Sequence, residues 1–358
     1  MKGVFFVGIG LYEKFFVPLH SMSSETRVNN QTYRMHGHDY ARPGTYEVTM
    51  VVAGRQAVFG ELVGTAKAGG DAPRLEPSEL GKIVLEREIP KIHHYYPMVE
   101  VWQVCLMPDH LHMIVRINEP LPEGKHLGIV LGAFKGGVSR AWWKLCATVS
   151  DASASEKCAP LFETNYNDHI LMRDGQLENW KCYLRDNPRR LMIRREYPRL
   201  FQRAMCIVIN RVRYSAFGNM LLLRQPEKHQ VFFHRRTNGM PTEETDFWET
   251  ERKRLISAAE SGDVLVTPGI SECEKRIKNI ALEQRLRLIH LQVEPIGALW
   301  KPERSRFEAC ASGTLLILAP WAEDMPEFGS DYERFHYLNR LAETVCGVNS
   351  ETQVVMRG

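Results

Sequence analysis

Two histidines separated by a single residue, His110 and His112, open an apolar run that ends at Ile117. Alternation along this run predicts a β-strand, on which both histidines share one face while Leu111 and the alternate residues after it share the other. Two imidazoles on one face, about 6.6 Å apart along the strand, can converge on one divalent cation. The pair therefore indicates a metal site, and the alternative is two solvated histidines on a sheet face.

A tyrosine and an asparagine further along the chain are spaced to share one face of a helix. Tyr183 and Asn187 are four residues apart, and residues 177–186 have a helical pattern. Because the residue before a proline is biased away from helical geometry, we expect the helix to end or kink at Pro188 and to free the Asn187 side chain to turn inward. Taken alone, Tyr183 is better explained as a helix tyrosine that packs against Trp180.

Four short motifs resemble those of the HUH single-strand transposases, in particular the REP-associated tyrosine transposases, and they follow the family's order along the chain. Met107-Pro108-Asp109-His110-Leu111-His112 resembles their M-P-N-H-hydrophobic-H signature, with an aspartate where the family usually has asparagine. Tyr183-Leu184-Arg185-Asp186-Asn187-Pro188 resembles their Y-x-x-x-N-P element. Between these two, Gly132-Ala133-Phe134-Lys135 is similar to the G-x-F-K helix, and Asn167-Asp168-His169-Ile170 to the F-x-D-H-I segment. The similarity extends over roughly residues 40–200.

This resemblance implies a transposase or single-strand endonuclease in which Tyr183 is the nucleophile. It implies that His110, His112 and Asn187 hold a Mg²⁺ or Mn²⁺ ion, which would leave open positions for the scissile phosphate and polarise it. Histidine and amide ligands favour Mn²⁺. The implied substrate is single-stranded or hairpin DNA, which is cut beside a hairpin through a covalent 5′-phosphotyrosine and then rejoined.

Positive charge is concentrated in the segment that contains the tyrosine. The whole chain has a net charge of +3, whereas residues 173–213 contain eleven basic and four acidic residues, a net charge of +7. Ten of the eleven are arginines, whose guanidinium group suits phosphate better than an ammonium group does. A solvated basic face is the alternative to a DNA-binding surface. The candidate DNA-binding residues are Lys135, Arg140, Lys181, Arg185, Arg189, Arg190, Arg194 and Arg195.

The elements that must position these residues follow the order β-α-β-β-α-β-α. This order fits an α+β fold, ferredoxin-like in kind, with helices on one face of the sheet. Strands are predicted at residues 45–52, 100–106 and 111–117 and within 162–172, and helices at 79–94, 127–145 and 177–186.

The second half of the chain has a different pattern, in which short and wholly apolar runs alternate with helical segments. Continuous apolar runs predict buried parallel strands of an α/β domain. The predicted strands are residues 264–266, 288–291 and 315–318, and the predicted helices are 274–285 and 305–311. Ser271 and Glu274 form a capping box, and the loop before the helix predicts an anion-binding site at Gly269 and Ser271.

Part of this second half resembles the Rossmann-like core of DNA-processing protein A and its nucleotide-binding relatives. The resemblance lies in residues 264–275, 301–302 and 309–316. The resemblance implies an accessory domain that binds a single strand or a nucleotide, and a scaffold without a ligand is the alternative.

We therefore divide the chain into four parts. These are an N-terminal extension (1–39), a transposase domain (40–213), a smaller α/β Rossmann-like domain (214–325) and a C-terminal helix and tail (326–358).

The composition of the chain limits the classes of protein to which it can belong. The chain has 358 residues, of which 44% are hydrophobic and 25% charged, and this excludes a largely disordered protein. No apolar run reaches the roughly 18–20 residues of a membrane helix, so no membrane partner is expected. Eight cysteines without a C-x-x-C pair predict reduced thiols in the cytoplasm.

The expected protein is a monomer or a homodimer that acts on DNA. Two rival functions remain, each from a different class. One is a DNA-binding protein that has kept the fold and lost catalysis, which predicts salt-sensitive binding without a covalent adduct. The other is a nucleotide-binding or single-strand-binding protein that is dominated by its second half.

Overall fold

The described chain contains two large sheets and two small two-stranded sheets. A computed structural model describes residues 35, 37–149, 160–237, 239–298, 300–348 and 355–357, so the predicted extension at residues 1–39 falls almost wholly outside the described residues. The described strands are β1 (Gly44–Val51), β2 (Gly60–Val63), β3 (Arg74–Pro77), β4 (Val99–Met107), β5 (His110–Ile117), β6 (Asn167–Ile170), β7 (Gln202–Ile209), β8 (Val212–Gly218), β9 (Lys228–Gln230), β10 (Arg236–Thr237), β11 (Met240–Pro241), β12 (Val264–Thr267), β13 (Leu288–Leu291), β14 (Leu315–Pro320) and β15 (Val355–Arg357). The described α-helices are α1 (Glu79–Ile83), α2 (Ile89–Tyr95), α3 (Leu127–Val149), α4 (Gln176–Glu196), α5 (Asp246–Glu260), α6 (Glu272–Gln284), α7 (Arg304–Ala311) and α8 (Asp331–Cys346).

The first sheet is antiparallel, with the strand order β4-β5-β1-β6. Leu111, Met113 and the other alternate residues of β5 are buried in a core that also contains side chains from α1, α2 and α3, as the alternation predicted. The expectation that all helices lie on one face is wrong, because α4 covers the other face. Ile114 is apolar and lies on that second face, where Leu184 of α4 packs against it and excludes water.

Helix α4 continues through Pro188 to Glu196, so the predicted end of the helix near the proline is wrong. A proline inside a helix removes one hydrogen bond and crowds the preceding turn. The turns after Pro188 contain Met192 and Ile193, both of which are buried. Burial of these side chains offsets the local cost of the proline, so tertiary packing extends the helix beyond its sequence-predicted end.

The second sheet is mixed, with the strand order β15-β7-β8-β14-β13-β12-β9. Strands β9, β12, β13 and β14 are parallel, as predicted for the last three, and β8, β7 and β15 extend the sheet in antiparallel fashion. The predicted boundary after residue 213 therefore falls inside β8, and the second sheet begins with β7. Within the described part of the chain, no helix is long and apolar enough to span a membrane.

Two arginines of α4 form contacts with the second half of the chain. Arg189 forms an ion pair with Glu308 of α7. The Arg190 guanidinium lies 3.9 Å from the centre of the Phe307 ring and donates a hydrogen bond of 3.0 Å to the carbonyl oxygen of Pro302. Arg190 is only 8% exposed, so its charge is used inside the protein.

We expect substitution of Arg190 by alanine to lower the free energy of unfolding by about 3 kcal/mol, because a desolvated cation–π contact and a charged hydrogen bond are lost together. Denaturant-induced unfolding followed by fluorescence measures the change. The matched control is Arg195→Ala, since Arg195 is exposed on the same helix, and its effect is expected to stay within about 0.5 kcal/mol. Equal effects of the two substitutions would contradict a structural role for Arg190.

Candidate functional site

A cavity of about 700 Å³ lies between the first sheet and α4. It brings together side chains from β1, from the β4–β5 turn, from β5, from the segment before and within β6, and from α4. Residues of both halves of the chain line it: Glu47, Thr49, Val51, Arg55, Met107, Asp109, His110, His112, Asn165, Tyr166, Asn167, Asp168, His169, Trp180, Tyr183, Asn187, Leu191, Arg194 and Lys301.

Both histidines of the H-x-H pair are oriented by carboxylates. Nδ1 of His112 lies 2.9 Å from Oε1 of Glu47 and 2.8 Å from the Thr49 hydroxyl oxygen. Nδ1 of His110 lies 2.6 Å from Oδ1 of Asp109. A histidine whose Nδ1–H is donated to a carboxylate keeps the lone pair on Nε2, which is the arrangement of metal-binding histidines. The two rings, with centroids 4.9 Å apart, are therefore suited to share one cation.

Burial shapes the charge state of His110. Desolvation lowers the pKa of His110, although Asp109 opposes the shift, so the imidazole is neutral at neutral pH and can act as a ligand. Glu47 is fully buried, and in the described structure its Oε2 has no hydrogen-bond partner. A buried carboxylate next to His112 makes binding of a cation at the opposite nitrogen favourable.

Helix α4 places the predicted nucleophile against the histidines. The Tyr183 ring lies edge-on to His112, with 6.1 Å between centroids, and it also packs against Trp180 at 5.4 Å. Burial raises the pKa of Tyr183, and the positive charges of Arg190 and Arg194 oppose that rise. The phenol is therefore protonated at neutral pH, and cations around it favour its ionised form.

Asn187 lies one helical turn beyond Tyr183 and is only 4% exposed. Its Nδ2 has no hydrogen bond of good geometry among the described residues, although the amide lies near the Cys105 thiol and opposes the rise in that thiol's pKa that burial causes. Because a half-turn of the amide exchanges nitrogen and oxygen, this unpaired position can present an acceptor to the cavity. No three His, Cys, Asp or Glu side chains in the described ranges are grouped closely enough to hold a metal ion by themselves. The amide of Asn187 would therefore be needed beside His110 and His112, and its buried, unpaired atom fits that role.

The candidate DNA-binding residues separate into different environments. Arg194 lines the cavity, whereas Arg189 and Arg190 are engaged by the second half of the chain, contrary to the predicted role in DNA binding. Lys181 pairs with Glu178 at 2.9 Å. Three further arginines are exposed on helix surfaces, and these are Arg140, Arg185 and Arg195.

Lys135 also has an internal role. Its ammonium group donates hydrogen bonds to the carbonyl oxygens of Glu163 at 2.6 Å and Thr164 at 3.2 Å. These residues directly precede Asn165 and Tyr166, which line the cavity. Lys135 therefore ties α3 to the cavity wall, and its charge faces carbonyl oxygens of the chain instead of a free surface.

The loop predicted to bind an anion at Gly269 and Ser271 holds a carboxylate of the chain itself. The carboxylate of Glu274 accepts hydrogen bonds from the backbone nitrogens of Ile270 at 2.7 Å and Phe233 at 3.3 Å. The backbone nitrogen of Gly269 donates to the Thr267 hydroxyl at 3.0 Å. Ser271 does cap α6, as predicted. The chain thus supplies its own buried carboxylate here, and the backbone nitrogens of Gly269 and Ile270 already have acceptors within the chain.

Among the cavity residues that sequence reasoning did not single out as site residues are Glu47, Thr49, Arg55 and Lys301. Glu47 and Thr49 lie on the β1 face opposite the core, where polar residues are normally solvated, so only the pairing of Thr49 with His112 reveals their role. Lys301 comes from the second half of the chain. It falls in the segment 301–302 of the Rossmann-like resemblance, but nothing in that pattern places it at this cavity, since its position depends on the docking of that half against α4.

Comparisons with known proteins find distant and partial similarity. No family model matches the chain. An uncharacterised protein of Haemophilus influenzae is 21% identical over 180 residues, which cover 45% of this chain and 88% of that protein. A solved REP-associated tyrosine transposase bound to a REP hairpin gives a TM-score of 0.29 at 16% identity, over 43% of this chain and 72% of that one. A Deinococcus radiodurans protein provisionally assigned as a transposase gives 0.26 at 12% identity, over 43% and 97%.

Proposed function

We propose that this protein is a metal-dependent single-strand DNA transposase or endonuclease that uses Tyr183 as its nucleophile. One observation carries the proposal. In a single cavity, Tyr183 lies edge-on to His112, and a buried, incompletely hydrogen-bonded Asn187 follows one turn along the same helix. Packing alone does not require two carboxylate-oriented histidines and an unsatisfied amide at one place.

The chemistry begins with the phenol oxygen of Tyr183. This oxygen attacks a DNA phosphate, the new O–P bond forms, and the bond from phosphorus to the 3′ oxygen breaks, so that the 3′ oxygen leaves as a hydroxyl after taking up a proton. Arg190 and Arg194 favour the phenolate that attacks. His110, His112 and Asn187 would hold Mg²⁺ or Mn²⁺, which supplies Lewis-acid polarisation of the phosphate when bound.

The adduct remains attached to the protein as a phosphodiester of tyrosine. A DNA 3′-hydroxyl can therefore attack the same phosphorus atom and expel Tyr183, and no nucleotide triphosphate is needed for rejoining. Cleavage followed by attack of a different 3′ end transfers a strand, whereas attack by the original end restores the substrate.

A labelled hairpin DNA, taken from repeats that flank the gene and carrying a single-stranded tail, tests the proposal. We expect incubation with Mg²⁺ or Mn²⁺ to produce a covalent protein–DNA band on a denaturing gel. The band should be absent when EDTA is added before the reaction. Tight binding of the hairpin without a band under either metal would instead support the DNA-binding protein that lacks catalysis.

A further inference from the structure

A second cavity adjoins the first at Tyr183. It has a volume of about 550 Å³ and lies between α4 and residues 301–304 of the second half. The two cavities share four lining residues, Trp180, Tyr183, Arg194 and Lys301. A path therefore runs from the two histidines past the tyrosine and along the surface where the two halves of the chain meet.

Unpaired positive charge lies on this path. Neither Arg194 nor Lys301 forms an ion pair with a carboxylate in the described part of the structure. Burial, together with the nearby charges of Arg194 and Arg55, lowers the pKa of Lys301. The nearby Asp109 is already engaged by His110 and Arg55. Cations that are gathered without partners disfavour the free protein, and an anionic ligand between them relieves that cost.

The carboxylates that line the second cavity do not neutralise the positive charges of Arg194 and Lys301. Asp186 and Glu308 both pair with Arg189, and Glu303 is flanked by Arg304 on the same wall. The cavity therefore offers its unpaired cations next to Tyr183, where the reacting strand would pass.

The position of Lys301 is fixed from both sides by the chain. Arg203 donates a hydrogen bond to the carbonyl oxygen of Trp300, the preceding residue. Arg190 donates to the carbonyl oxygen of Pro302, the following residue, at 3.0 Å. Arg190 thus ties the backbone next to Lys301 to α4, while Arg203 of β7 ties it to the second sheet, and Lys301 lines both cavities from this position.

We propose that Lys301 and Arg194 bind the backbone phosphates of the single strand next to the phosphate that Tyr183 attacks. The second half of the chain is then part of the substrate-binding site. This inference rests on the proposed function for the identity of the strand. It assigns to Lys301 a positioning role through phosphate, which affects affinity and salt dependence without reading sequence.

Charge reversal at Lys301 tests the proposal on the full chain. We expect Lys301→Glu to weaken binding of a fluorescein-labelled hairpin with a single-stranded tail by about tenfold, and to reduce the slope of log affinity against log salt by about 1. Lys301→Arg should restore both. Lys253→Glu is the matched control, because Lys253 is exposed on α5 and lines neither cavity. Thermal unfolding of each variant monitors the fold.

Anisotropy measurements and the covalent-adduct assay, run in parallel, separate the two proposals. If wild type forms the adduct and Lys301→Glu binds DNA as Lys253→Glu does, the role of Lys301 is overturned and the proposed function stands. If wild type forms no adduct but Lys301→Glu alone loses affinity and salt dependence, the strand-binding role is upheld and the cleavage function fails. Absence of DNA binding by wild type overturns both.

Discussion

Replacing Tyr183 with phenylalanine is expected to abolish the covalent adduct while hairpin binding stays within about twofold of wild type. The substitution removes only the phenol oxygen, which is the attacking atom under the proposed function. The ring contacts with His112, Trp180 and Arg190 are retained. In the described structure the hydroxyl forms no hydrogen bond, so its removal leaves no buried partner unsatisfied.

The adduct assay and an anisotropy titration measure the two effects on the same preparations. Tyr197→Phe is the control, because Tyr197 follows directly after α4 and is 38% exposed. This control should form the adduct as wild type does. Parallel loss of binding and adduct in Tyr183→Phe would show that Tyr183 has a structural role, and a persistent adduct would mean that another side chain is the nucleophile.

Removal of the His110 imidazole is expected to eliminate metal-dependent cleavage and to weaken Mn²⁺ binding by at least about a hundredfold, because loss of a ligand costs at least as much as loss of the groups that orient it. His110→Ala is preferable to the same change at His112. Asp109 is partly exposed and also contacts Arg55 at 3.4 Å, so it keeps a partner. Glu47 is fully buried and would lose its contact with His112.

Isothermal titration with Mn²⁺ and the adduct assay measure these losses. Glu47→Gln provides a graded comparison, since it keeps the volume of the side chain and removes its charge beside His112. Its Mn²⁺ affinity is expected to fall by about tenfold to a hundredfold, and its adduct yield should lie between those of wild type and His110→Ala. Wild-type Mn²⁺ affinity in His110→Ala would exclude the proposed metal site.

The first sheet and the four side chains that meet in the cavity can be predicted from the sequence because both depend on short-range patterns. Alternation over eight residues predicts β5 and the shared face of His110 and His112. The spacing of four between Tyr183 and Asn187 places both on one helix face. The cavity in the structure contains all four side chains, whereas their metal and chemical roles stay predictions.

Long-range contacts account for most of what the sequence did not reveal. The partners of Arg189 and Arg190 lie more than a hundred residues further along the chain, and a run of arginines does not show which members are buried by such contacts. Lys301 reaches the cavity for the same reason. The predicted anion site differs for a local reason. Glu274 marks the start of α6 in the sequence, and its carboxylate also accepts a hydrogen bond from the loop that was expected to bind an anion.

Helix α4 is held on two sides by its own chain. One face presents Tyr183 to His112, while Arg190 on the same helix is held by Phe307 and its neighbours. If two copies of the chain exchanged this helix, either the contacts with Phe307 and its neighbours would break or the whole second half would be exchanged with it. The tyrosine is therefore matched with histidines of the same polypeptide. Under the proposed function, one copy then holds both the tyrosine and the histidines of a site, and one DNA end replaces another at that site during rejoining.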